Sequence, residues 1–253
     1  MLATQIIEPS RGKEADPTVS DPSLTLAQQA YLMLRTQIIS GHHAPGGRLS
    51  ARRVVEETQL GATPVREALV RLQHEGLLRP LPRSGYVVAA LTRQTVIDFH
   101  EIWRLVGPAI VRLGVENRTA EQLQRLEEIA GAVIALLPRL TEEHNAVAWL
   151  QLAEARFALL AEASANPHLI ALNARLSLEK ERIYSFHLRN RVGREGCQFF
   201  GTDRERVLRS LDYARRRLGH DAELATRTAI DRTHRSMLEV FERDDAAVAP
   251  IVR

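Results

Sequence analysis

A single cysteine, Cys197, stands in a chain of 253 residues. That excludes an intramolecular disulfide and a cysteine-built zinc site. Aromatic residues make up only 5% of the chain, and 14 glycines with 11 prolines are too few for a many-turned β architecture, so long helices are expected. No stretch approaches the roughly 18–20 uninterrupted apolar residues of a membrane-spanning helix. The start, MLATQIIEPSRGKEADPTVSDPS, has neither the basic opening nor the apolar run of a secretory signal, which predicts a cytoplasmic protein. Enzyme signatures are missing too: there is no G-x-S-x-G, no H-E-x-x-H and no phosphate-binding glycine loop. The nearest approach, 100-HEIWR-104, lacks its second histidine. The nine histidines follow no fixed spacing and read as bystanders. No catalytic residue, cofactor or metal ligand is assigned, and the chain is not expected to be an enzyme.

Lysine is scarce as well, and here the absence points to something. Lys13 and Lys180 are the only lysines among 34 basic residues; the rest are arginine. Net charge is +3, but residues 26–91 hold eight arginines against four glutamates, while residues 92–253 carry 24 basic and 23 acidic residues. Arginine's planar fork suits phosphates and guanine edges better than lysine does. A merely solvated surface is the competing reading of the same composition.

Residues 1–23, with prolines at 9, 17 and 22, read as a flexible tail. From Leu24 the apolar spacing turns helical: Leu26, Ala30, Leu34 and Ile38 share a face that ends at Ser40-Gly41. After the turn 44-APGGR-48, a short helix spans 50-SARRVVEETQ-59 with Ser50 as N-cap. A third begins at Thr63 with Pro64 at its first position. It turns Val65, Leu69 and Leu72 inward and ends at Gly76. The segment 77-LLRPLPRSGYVVAAL-91 reads as a hairpin with a basic tip. Three helices and a hairpin within residues 24–91 make a winged helix-turn-helix.

Residues 92–253 change character. Val96, Phe99, Trp103, Val106, Ile110 and Leu113 recur at three- and four-residue steps, as in a long bundle helix. Thr119 and Gln122 form a capping box. Thr141 opens another helix, broken at Asn166-Pro167, and further helices are expected at about 168–190, 203–218 and 221–243, with a loop at 191–197. No strand signal follows residue 91. The fold class is therefore mainly α: a winged helix-turn-helix followed by an all-helical bundle.

A helix whose first turn offers Thr63 and Arg66 outward suits the DNA major groove. Arg71, further along, would meet a phosphate or solvent. Arg52 and Arg53 would lie near a flanking phosphate, and Arg83, Ser84 and Gly85 at the hairpin tip would reach the backbone or minor groove. Ordinary surface arginines are the alternative.

The run 49-LSARRVVEETQLGATPVREALVRLQHEGLL-78, with 45-PGG-47 before it and 82-PRSGYVV-88 after, resembles the winged helix of GntR-type transcription regulators. The half containing 98-DFHEIWRLVGPAIVRLGVEN-117 and the Asn166-Pro167 break resembles the FCD branch of that family. The resemblance implies a homodimer on a palindromic operator, acting as a repressor, with a small metabolite in the helical half shifting DNA affinity. It places Arg52, Thr63 and Arg66 among the DNA-contacting residues. Where the family usually has Ser-Arg before the Thr-Pro, this chain has Gly61-Ala62, so one contacting arginine is absent.

Many FCD relatives hold a metal through an Asp, a His four residues later, and two further histidines. The matching positions here are Ala153, Phe157, Arg204 and Arg232, with His234 two residues from the last, so no metal is expected. The resemblance also puts Arg104 at an inward-facing position. The expected ligand is an organic acid clamped by Arg104 and Arg204, with Arg232 or His234 as third partner and Tyr184 as hydroxyl donor. The competing reading pairs these arginines with carboxylates such as Glu101 or Glu179. A reading from another class also stands: a helical metabolite-binding or catalytic domain with a vestigial basic module.

Overall fold

The computed structural model describes residues 23–243 except 83, 141 and 192–202. The expected tail, the hairpin-tip Arg83, the helix-opening Thr141 and Cys197 fall outside the described residues. The described chain divides into two compact units, one of residues 23–38 and 42–89, the other of residues 39–41 and 90–243.

The first unit contains α1 (Leu26–Ile39) up to its last residue, β1 (Arg48–Leu49), α2 (Ala51–Thr58), α3 (Ala62–His74), β2 (Leu78–Leu81) and β3 (Gly85–Val88). On α1, Ala30, Leu34 and Ile38 are buried, the four-residue step of one helical face. Ser50 caps α2 as expected, its Oγ accepting from the Arg53 backbone N–H at 3.2 Å. The first position of α3 is Ala62, two residues before the expected Pro64, with Gly61 as N-cap. Pro64 therefore takes the third position, still within the first turn, where the N–H groups have no intrahelical acceptor. Val65, Leu69 and Leu72 are fully buried, and Gly76 leaves the helix with φ +78.

The sheet has three antiparallel strands in the order β1-β3-β2. The sequence gives no sign of β1, because two residues carry no periodicity. Gly85 makes room for it: at φ +91, a Cβ there would sit 2.7 Å from the Leu49 carbonyl oxygen.

The second unit contains α4 (Arg93–Asn117), α5 (Ala120–Leu136), α6 (Glu143–Ala163), α7 (Pro167–Arg191), α8 (Arg204–Arg216) and α9 (Gly219–Arg243), with no strand among its described residues. Both α4 and α5 open with reciprocal capping boxes, Thr92–Thr95 and Thr119–Gln122. Helix α4 is the central element, packing against α9, α6 and α7. It buries Val96, Phe99, Trp103 and Ile110 of the expected stripe. Gly114 lets α4 approach α6, since an added Cβ would run into the Leu160 carbonyl oxygen. The Asn166-Pro167 break resolves into a cap: Asn166 Oδ1 accepts from the backbone N–H groups of His168 at 3.0 Å and Leu169 at 3.3 Å. Arg118 closes the far end, donating to the Ala214 and Arg215 carbonyls at the last turn of α8.

Candidate functional site

The first candidate surface is the outer face of α2 and α3. Burying Val65, Ala68, Leu69 and Leu72 leaves Thr63, Arg66, Glu67, Val70 and His74 exposed. These fall at three- and four-residue steps, so they share one side of the helix. On α2, Arg52 Nε meets Glu56 at 2.9 Å with its side chain 90% exposed, and Arg53 Nε meets Glu57 at 2.6 Å. Such exposed pairs contribute about 0–1 kcal/mol, so either arginine can exchange its glutamate for a phosphate at small cost. Ser84 is exposed, and Gly85 is constrained by its approach to β1.

Arg71 has a contact within its own unit as well. Its Nε is 3.1 Å from Glu75 Oε1 and its guanidinium lies 3.7 Å from the Tyr31 ring centroid. Tyr31 in turn donates to both Glu75 oxygens, at 3.0 and 2.9 Å. Burial and this acceptor push the Tyr31 phenol pKa up. Arg71 thus bridges α3 and α1 while its side chain stays 55% exposed.

The second candidate is a cavity of about 610 Å³ inside the helical unit. Most of its wall is aliphatic or aromatic, but polar groups line it from α6, α7, α8 and α9. Lys180 is 2% exposed. Its Nζ lies 3.0 Å from Glu154 Oε2 and over the rings of Trp103 and Phe157, at 4.1 and 4.5 Å from their centroids. Burial pulls the lysine pKa down and the glutamate pKa up, and their mutual attraction opposes both shifts. Arg156 Nη2 donates to Ser210 Oγ at 2.8 Å, and burial pushes its guanidinium down to about 10. Burial also raises the Tyr184 phenol, with Glu154 adding to the shift.

The residues expected to hold an effector are only partly gathered here. Tyr184 and Arg232 line the cavity; Arg104, Arg204 and His234 do not. Arg104 forms a forked pair with Asp231 on α9, at 2.6 and 3.3 Å, and neither Glu101 nor Glu179 is its partner. Arg204 is exposed at the first position of α8. The His234 ring stacks on buried His100 with centroids 4.5 Å apart. An Arg104–Arg204 clamp is therefore not formed. Ala153 and Phe157 line the cavity and offer no ligand atom. Among the described residues, no group of three or more His, Cys, Asp or Glu gathers as a metal set.

The model of bacterial regulatory proteins of the gntR family matches residues 26–88, and the FCD domain model matches residues 98–201. The chain belongs to the GntR family. An uncharacterised HTH-type transcriptional regulator from the TAR-I ttuE-ttuC' intergenic region of Agrobacterium vitis is 31% identical over 113 residues, 44% of this chain and 66% of that protein. The HTH-type transcriptional repressor RspR of Escherichia coli is 30% identical over 111 residues, 44% of this chain and 49% of RspR. The chain thus spans one half to two thirds of these relatives. The solved structure of E. coli McbR/YncC covers 87% of this chain and 99% of its own at TM-score 0.68 and 18% identity, a likeness of fold.

Within this GntR-family chain, the α3 face was readable because a short run of sequence carries it whole. Glu154, Arg156, Lys180 and Ser210 were missed. They come from three helices, and each alone looks like a polar residue on an amphipathic helix. One signal was available: Lys180 is a lysine in a chain that otherwise uses arginine almost throughout.

Proposed function

We propose that this GntR-family chain is a DNA-binding transcription regulator, a homodimer that represses from a palindromic operator and responds to a small anionic metabolite in its helical unit. The observation that carries the reading is the outward pair Thr63 and Arg66 in the first turns of α3, together with the exposed Arg52 and Arg53 on the preceding helix α2. A helix N-terminus that shows a hydroxyl and a guanidinium can enter the major groove, where arginine pairs with guanine O6 and N7. Arg52, Arg53 and Ser84 then hold phosphates, which position the helix without reading sequence. Gly85 supports the wing by its backbone. Ala62, exposed at the first position of α3, offers no base contact, so recognition falls more heavily on Arg66. The name of RspR, a repressor, supports that sign of regulation. No helix among the described residues is long and apolar enough to cross a membrane.

Selection of bound fragments from a random DNA pool at physiological salt tests the proposal. Enrichment of an inverted repeat with half-sites about one helical turn apart is the expected outcome. A pool that stays random would favour the other reading, a helical ligand-binding or catalytic domain with a vestigial basic module.

A further inference from the structure

Five cations line the cavity of the helical unit, Arg206, Arg209 and Arg232 as well as Lys180 and Arg156, and the last two differ in how they are answered. Lys180 is answered by Glu154 and by two aromatic faces. Ser177 Oγ donates to the same Glu154 oxygen at 3.1 Å, so that carboxylate is already engaged. Arg156 has a neutral partner, Ser210 Oγ at 2.8 Å, and no carboxylate of the described residues pairs with it. Lys180 adds a repulsion of its own. Arg156 is partly buried; a guanidinium carries five donors, and desolvating it without a counter-charge costs free energy that a bound anion recovers.

The rest of the wall limits which anion fits. At the rim, Arg206 meets Asp203 at 3.4 Å and Arg209 meets Glu205, exposed pairs like those on α2, so the bar to a second acid group comes from within the cavity. Glu154 would repel one. Val133, Leu150, Val207 and Leu211 form an apolar surface beside the polar cluster. The volume of about 610 Å³ falls within the roughly 300–1,000 Å³ of small-molecule sites.

We propose that the cavity takes a monocarboxylate with an apolar or aromatic body, its carboxylate held by Arg156 and Ser210 and its body against the aliphatic wall. The inference rests on the regulator reading above and names the class of its ligand. It also replaces the Arg104–Arg204 clamp with residues that face the space. Lys180 sets the positive potential of the site without giving up Glu154.

Calorimetric titration of the full-length chain tests this with benzoate and hexanoate, their neutral amides, succinate and inorganic phosphate. Benzoate or hexanoate should bind, and its amide should bind at least tenfold more weakly, the factor expected for losing a hydrogen-bonded charge. Arg156→Met should weaken carboxylate binding tenfold or more, and Ser210→Ala by less. Circular dichroism checks each fold; if Arg156→Met does not fold, Arg156→Lys and Ser210→Ala carry the comparison. Succinate or phosphate binding more tightly than both monocarboxylates would overturn the proposal. So would variants that bind as wild type does, or no binding of either monocarboxylate at millimolar concentration. DNA selection with the wild-type chain reads the regulator proposal separately. A chain that enriches an operator but binds no carboxylate refutes this inference alone, whereas carboxylate binding without DNA enrichment leaves the site standing and refutes the regulator reading.

Discussion

Arg52 on the α2–α3 face and Arg156 in the helical unit are the same side chain under opposite conditions. Arg52 is 90% exposed and shares its charge with Glu56, four residues along the same helix. Water already solvates both groups, so a phosphate can replace the glutamate with little net change. Arg156 faces a cavity, has Ser210 for company, and is pushed down to about 10 by its surroundings. An anion arriving there replaces no acid and meets a partly buried guanidinium, so the same contact is worth more. The first region suits many weak, salt-sensitive contacts to a polyanion, the second a single well-defined one.

The largest effect should come from pH, and it should fall on the interior alone. His100 is fully buried, with Nδ1 2.8 Å from the Val96 carbonyl oxygen, so Nδ1 carries the hydrogen. Nε2 has no partner among the described residues. Burial pushes this histidine down to about 4 from 6.5; His234 adds to the shift, while the Val96 carbonyl and Asp231 oppose it. Between those values the unfolded chain binds a proton that the folded one refuses, so stability is lost as pH falls from about 6.5 and levels off near 4. The total is ~3 kcal/mol at about 1.4 kcal/mol per unit. Trp103 and Trp149 are the only tryptophans and both lie in the helical unit, so denaturation followed by tryptophan fluorescence reads this unit directly. His100→Gln should flatten the pH dependence; an unchanged slope would place its origin elsewhere.

Next in size is Gly114→Ala. The added methyl meets a backbone carbonyl, which cannot swing aside as a side chain would, so a loss of about 1–3 kcal/mol is expected in the tryptophan-monitored transition. DNA affinity per dimer should hold. Equal stability would mean that α4 and α6 can separate freely.

What was legible in the sequence divides along the same line. Ser50, Thr119 with Gln122, and Gly76 declare helix ends through chemistry confined to a few residues. The α3 face is legible for the same reason, since one helical period sorts Val65 and Leu69 inward and Arg66 outward. Strand β1 was invisible because pairing with β3 makes it a strand. The contact of Arg71 with Tyr31 was not legible because Tyr31 lies 40 positions away, on α1. The cavity was missed for a larger version of that reason: Glu154, Lys180 and Ser210 meet only through packing. Arg104 marks the limit of reasoning by position, for it lies on the central helix but turns to Asp231.

Smaller again is the expected effect of Arg156→Met on the ligand-free protein. Removing a partly buried cation that has no acid should leave the tryptophan-monitored stability unchanged or raise it, by about 1 kcal/mol at most. A clear fall would show that Arg156 holds the bundle together and that its charge is already answered. The smallest effect belongs to Glu56→Gln with Glu57→Gln. Folding stability should shift by less than about 0.5 kcal/mol, while DNA affinity at low salt rises several-fold as Arg52 and Arg53 are released. Loss of affinity would contradict their assignment to phosphates.

The most direct test of the central claim is fluorescence anisotropy on a selected DNA fragment and a scrambled one, at physiological salt, with wild type and Arg66→Ala. Wild type should prefer the selected fragment by roughly 10³-fold or more. Arg66→Ala should lose about 1–3 kcal/mol on that fragment, roughly ten- to hundredfold, while binding the scrambled one as before and keeping its tryptophan-monitored stability. Equal preference in both proteins would contradict the account, because the outward face of α3 would then not be what reads DNA.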